Sequence, residues 1–213
     1  GLGIPAEPLF RSGRHLPLRH QQEFFKSAVA KGGKGYIVFG DQENKGATNL
    51  FLDNLLRHKI EVHKLTKDFA QGGKQFKAGS AYAIPLGQAQ YRLVNAAFEE
   101  HTEFVDSIFM DITAWSTAHG YGFPFARVAG GIGVGDVVNE VPAASTSKFQ
   151  KSQFAYVIDY ADFYAPRVLY QLLDKGVYVK AAYKTFTAQT VEAGKQNFAI
   201  GSLVVPLVYQ AIS

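Results

Sequence analysis

The chain has 213 residues, 47% of them hydrophobic, so it can bury a substantial core as one large domain or two intimate halves. Its net charge is only +4 and its 22 basic residues are scattered, which disfavours nucleic acid or any other polyanion as a partner. The absence of Cys excludes disulfides, thiolate metal sites and thiol nucleophiles, and no apolar run reaches the roughly 18 residues of a membrane span.

No signal peptide opens the chain, and Gly1-Leu2 without Met reads as a processed or excised fragment, whose secretory signal would have gone with the missing part. Residues 1–33 read as a connector, with Pro5, Pro8 and Pro17, followed by a linking helix. In that helix Phe24, Phe25, Ala28 and Val29 recur at helical spacing, and Gly32-Gly33 end it. Residues 34–213 read as an α/β domain. Tyr36-Ile37-Val38-Phe39 suits a buried strand, and Asn49 to His58 suits a helix with Leu50, Phe51, Leu55 and Leu56 on one face. Ile60 to Leu65 alternates as a second strand, and a Gly-rich turn leads to a third over Gly79–Pro85. Tyr91 to Glu100 reads as a helix and Asp106 to Met110 as a strand. Ala129 to Gly135 reads as a turn in a hairpin insertion ending near Pro142.

The same signals return in order. Tyr36-Ile37-Val38 is echoed by Tyr156-Val157-Ile158, and Leu55-Leu56 with Ile60 and Val62 by Leu172-Leu173 with Val177 and Val179. Phe76 with Gly79-Ser80 is echoed by Phe198 with Gly201-Ser202, and Pro85 by Pro206. The expectation is two related halves, about 34–90 and 154–210, with an intervening segment. Strands joined through helices pair in parallel and need cover on both faces, so the expected fold is a three-layer α/β sheet, mostly parallel, with internal duplication.

In such a sheet, ligands bind beyond the carboxyl ends of the strands. Three expected strands end in aspartate, at Asp41, Asp111 and Asp159, and Asn44, Trp115, His119 and Tyr160 lie close to them in sequence. One reading is a crevice for a polar ligand or cation; the other is that each Asp bonds its own turn. Gly130 to Gly135 misses the spacing of a nucleotide-binding loop and fits a turn better. His58 and Glu61 match the HxxE spacing of zinc peptidases, but they straddle a helix end and a strand start, with no third ligand. Ser116, His119 and Asp159 have the residue types of a hydrolase, without the elbow that would present the serine. The aromatics of Phe123-Pro124-Phe125 and Tyr160 to Tyr164 read either as core or as a binding platform.

Several stretches resemble a known family: Gly35 to Asp41, Leu55 to Leu65, Phe76 to Pro85, Gln90-Tyr91-Arg92-Leu93, Phe109 to Trp115 and Tyr164-Ala165-Pro166-Arg167. They are similar to the region that follows the catalytic domain in large bacterial zinc-carboxypeptidase-like proteins, and Gln21 to Phe25 is similar to the joining helix. The resemblance covers about Leu18 to Gln210. It implies a flavodoxin-like, class I glutamine-amidotransferase-like domain downstream of a secreted metallopeptidase, outside the cytoplasm in the extracellular or periplasmic space. It further implies that zinc, and the proteolysis it supports, belong to the absent upstream domain, with no cofactor in this fragment. The amidotransferase cysteine has no counterpart here, so no catalytic residue of either family carries over. The leading expectation is a non-catalytic accessory domain partnering the upstream peptidase domain. The alternatives are a peptide- or glycan-binding module and a divergent hydrolase.

Overall fold

A computed structural model describes residues 15–100, 116–143, 150–191, 194–208 and 210. The chain divides into two units, Gly1–Gln42 with Leu50–Val141, and Glu43–Asn49 with Pro142–Ser213. The expected strand over Asp106 to Met110 lies outside the described residues.

The first unit begins with helix α1 (His15–Gly32) and strand β1 (Tyr36–Phe39). Helix α2 (Lys45–Arg57) follows; its first turn groups with the second unit and the rest with the first. Next come β2 (His63–Leu65), a hairpin of β3 (Phe69–Gln71) and β4 (Lys74–Phe76), and β5 (Tyr82–Pro85). Short helices α3 (Tyr91–Ala97) and α4 (Thr117–Tyr121) precede β6 (Phe125–Val128) and β7 (Val134–Val137). Five of these strands form one sheet in the order β6-β1-β5-β2-β7, and every neighbouring pair is antiparallel.

The three-layer, mostly parallel sheet is therefore wrong, and with it the flavodoxin-like and amidotransferase-like shape. The physical reason is a gap. β1 and β2 do run the same way on either side of helix α2, but they are not neighbours. β5 returns from the β3–β4 hairpin and inserts between them, pairing antiparallel with both. The glycine-rich stretch at Gly72-Gly73 is the tip of that hairpin, where both residues have positive φ. β6 and β7 are not a hairpin either, since they bind opposite edges of the sheet.

Strand alternation gives β1 two buried faces. Phe39, fully buried, meets Phe51 of α2, Phe98 and Phe123 with ring centroids 5.5–5.8 Å apart. Val38 points the other way into a cluster with Leu65, Phe76, Ala81 and Val128, partly covered by Phe69 of the hairpin. A hairpin thus covers the face where a second layer of helices was expected. Helix α1 is held through Arg92 of α3, whose guanidinium donates to the Phe24 carbonyl and the Ser27 hydroxyl and stacks 4.1 Å from the Phe24 ring. At its carboxyl end Gly32 lies so close to the Leu86 carbonyl that a Cβ would collide with it.

The second unit contains β8 (Ala155–Ile158), α5 (Ala165–Asp174), β9 (Lys180–Ala181), β10 (Phe186–Thr190), β11 (Gly194–Phe198) and β12 (Leu203–Pro206). β10 and β11 form a hairpin, and β12 lies between β8 and β9, antiparallel to both. Each unit thus contains a strand, a helix, a second strand, a hairpin, and a third strand inserted between the first two. The details agree as well. Phe69 stacks on Phe76 across one hairpin and Phe186 on Phe198 across the other. Tyr36 faces Pro85 in one sheet and Ala155 faces Pro206 in the other. Helices α2 and α5 end alike: the Leu55 and Leu56 carbonyls accept from Ile60 and Lys59, as Leu172 and Leu173 accept from Val177 and Gly176. Lys59 holds φ 58° where Gly176 holds 70°, so a lysine sits in a backbone conformation that favours glycine.

Candidate functional site

Of the seven expected site residues, Asp111 and Trp115 lie outside the described residues. Asp41 and His119 belong to the first unit; Asn44, Asp159 and Tyr160 belong to the second. The crevice that would have gathered them presupposed a common carboxyl edge, which an antiparallel sheet does not have. Asn44 is occupied in holding the backbone. Its Oδ1 accepts from the amides of Ala47 and Phe163, capping α2, while its Nδ2 donates to the Ala161 carbonyl. Asp159 closes its own turn, accepting the Ala161 amide at 3.0 Å, and Tyr160 is exposed. Phe123 and Phe125 are core residues, whereas Tyr160, Phe163 and Tyr164 are about 40% exposed.

The other sequence signals also resolve into structure. His58 closes the carboxyl end of α2 through its backbone amide, and the Glu61 carboxylate is engaged by a different histidine, His63. No group of three His, Cys, Asp or Glu that could hold a metal ion occurs among the described residues. Ser116 is a buried helix N-cap whose hydroxyl makes no hydrogen bond among the described residues, while His119 pairs at 3.5 Å with Glu100. A serine not bonded to its base is not activated. In the glycine run, a Cβ at Gly133 would come within 2.5 Å of the Thr66 hydroxyl, so the glycine allows two chain segments to touch. No described helix is long and apolar enough to cross a membrane.

What the structure does bring together is a cleft of about 520 Å³ in the first unit. The β3–β4 hairpin contributes Gln71 and Lys74, edge strand β6 contributes Phe125 and Arg127, and the end of α3 contributes Asn95, Phe98, Glu99 and Glu100. Lys74 is fixed by donating to the Phe125 carbonyl at 2.9 Å, with its ammonium 5.1 Å from the Phe125 ring centroid. Arg127 donates one guanidinium N–H to Asn95 Oδ1 at 2.8 Å. Each cation is positioned by one bond and keeps further donors. His119 adjoins this cleft through Glu100 and through an edge contact with Phe125 at 5.2 Å. No family model, curated protein or solved structure matches the chain. The cleft therefore rests on its own chemistry. Its lining comes from segments far apart in the chain, with no motif to flag Lys74, Arg127 or Glu100.

On the opposite edge, His63 clamps β2 to β7. Nδ1 lies 2.8 Å from the Gly135 carbonyl and Nε2 lies 2.8 Å from Glu61 Oε1, beside an irregularity in the β2–β7 register. Both partners are acceptors, so only the imidazolium, with two N–H groups, satisfies both. Burial opposes that charge. The Glu61 carboxylate, the Gly135 carbonyl and the nearby Asp136 outweigh it and raise the pKa above the ordinary histidine value. A group whose pKa is raised by folding stabilises fully below its unfolded pKa, near 6.5, and loses that contribution as pH rises through the folded value. The expected result is a melting temperature that is higher below about pH 6.5 than at a pH above the raised folded-state value. In His63→Gln that difference should be absent; an unchanged pH profile in the variant would show that the clamp does not titrate.

Proposed function

We propose that the chain is a non-catalytic accessory module of a zinc-carboxypeptidase-like protein, working alongside a peptidase domain that supplies the zinc and the hydrolysis, outside the cytoplasm. The observation that carries this reading is where the family-like residues fall. Phe76 and most of β1 and β5 are buried. Leu55 and Leu56 supply the carbonyls that end α2, Gln90 is the N-cap of α3, and Pro166 sits in the first turn of α5. These are framework positions, which supports reading the resemblance as one of scaffold rather than of active site, and a scaffold beside a peptidase would serve docking or substrate presentation. The amidotransferase-like shape forms no part of this proposal.

The test is to purify the chain, dialyse it against zinc and assay C-terminal hydrolysis of short peptides. The expected outcome is no turnover above buffer and no stoichiometric zinc by elemental analysis. Turnover that survives repurification, or one bound zinc per chain, would sink the proposal. Reading the frame upstream of Gly1 for a zinc-peptidase sequence is an independent check.

A further inference from the structure

We infer that the cleft beside β6 binds a short peptide through both of its free termini. Its volume, about 520 Å³, falls within the usual range for small-molecule sites and exceeds the needs of one amino acid. Its polar groups are of both signs. Lys74 and Arg127 stand on the hairpin and β6 side, and Glu99 and Glu100 stand where the chain leaves α3.

That combination selects among ligand classes. A phosphorylated ligand would gain from the two cations but bring its charge against two carboxylates. A neutral glycan could hydrogen-bond these groups but brings no opposite charge to either sign. A zwitterion satisfies both ends: its carboxylate accepts from the remaining donors of Lys74 and Arg127, and its ammonium donates to Glu100. Between these poles the cleft floor is closed by Phe98 and Phe125, both buried and braced edge to face at 5.2 Å, so only their rims reach a ligand. The bonds of Lys74 to the Phe125 carbonyl and of Arg127 to Asn95 hold both cations in place before a ligand arrives. Little side-chain entropy is then lost on binding. The described residues that line the site all belong to the first unit.

Isothermal titration of the whole chain with the dipeptide Ala-Phe tests this, alongside its N-acetylated and C-amidated forms. Saturable binding is expected, with each cap weakening affinity at least about tenfold. Arg127→Gln should weaken Ala-Phe and cease to distinguish the free acid from the amide. Glu100→Gln should cease to distinguish the free amine from the acetylated form. Thermal melts of the variants establish that they fold; if either does not, the capped ligands against the wild-type chain carry the test alone. No saturation by about 10 mM, or equal affinity for free and capped dipeptides, overturns the inference. Cleavage of Ala-Phe during the titration would instead sink the accessory-module proposal while leaving the binding site standing.

Discussion

Phe39→Ala should destabilise the first unit by about 3–5 kcal/mol, the range for removing a buried aromatic ring. The ring is fully buried and touches a ring on nearly every side. Phe51 meets it edge-on at 77°, and Tyr82, Phe98 and Phe123 lie 5.6–5.8 Å away. Those neighbours are tied to one another, with Phe51 5.3 Å from Phe98 and 5.0 Å from Phe123, so they cannot collapse freely into the void. A rigid lining is what places a truncation at the costly end of its range. The corresponding position in the second unit, Ile158 opposite Leu203 on β12, is only partly buried. Ile158→Ala should therefore cost less, about 1–2 kcal/mol. Urea denaturation followed by circular dichroism measures both. A Phe39→Ala unfolding free energy within about 1 kcal/mol of wild type at unchanged slope would mean that the aromatic cage does not carry the core.

Much of the local structure was legible because it depends on local chemistry. The β-formers of Tyr36–Phe39, the amphipathic run through Leu55, and Gly32-Gly33 at the end of α1 all act within a few residues. Strand direction was not legible. A strand-helix-strand segment fixes the direction of β1 and β2 but not whether they touch, and the deciding strand, β5, arrives only after a hairpin. That hairpin did leave a signal, Phe69-Ala70-Gln71 and Lys74-Gln75-Phe76 around Gly72-Gly73, which reads as two strands once the pair of glycines is taken as a tight turn. The expected crevice was argued from parallel neighbours, and that premise goes with the antiparallel sheet, while Asp111 and Trp115 lie outside the described residues. Asn44 shows the other limit. Its sequence position fits a ligand or an N-cap equally, and only the three backbone partners at 3.1–3.3 Å decide for the cap. Nothing local marks the cleft, because Lys74, Asn95 and Arg127 become neighbours only when the hairpin, α3 and β6 meet.

The two units use the same glutamine clamp in different surroundings, which lets burial be separated from geometry. Gln88 donates from Nε2 to the Pro85 carbonyl at 2.6 Å and the Glu61 carbonyl at 3.2 Å, and accepts the Glu61 amide at 2.9 Å. Gln210 donates to the Pro206 carbonyl at 2.6 Å and the Tyr178 carbonyl at 3.0 Å, and accepts the Tyr178 amide at 2.9 Å. Geometry alone predicts equal contributions. Gln88, however, is 8% exposed and its three bonds are all partly buried, whereas both bonds to Tyr178 are exposed. A backbone group left unpaired away from water costs about 1–3 kcal/mol, while one that water can reach costs little. Gln88→Leu should therefore cost about 2–3 kcal/mol and Gln210→Leu less than about 1 kcal/mol. Amide exchange at Glu61 should accelerate strongly in the first variant, and exchange at Tyr178 only modestly in the second. Equal losses would show that solvent does not set the worth of this clamp; a larger loss at Gln210 would show that the second unit depends on it for closure of its smaller sheet.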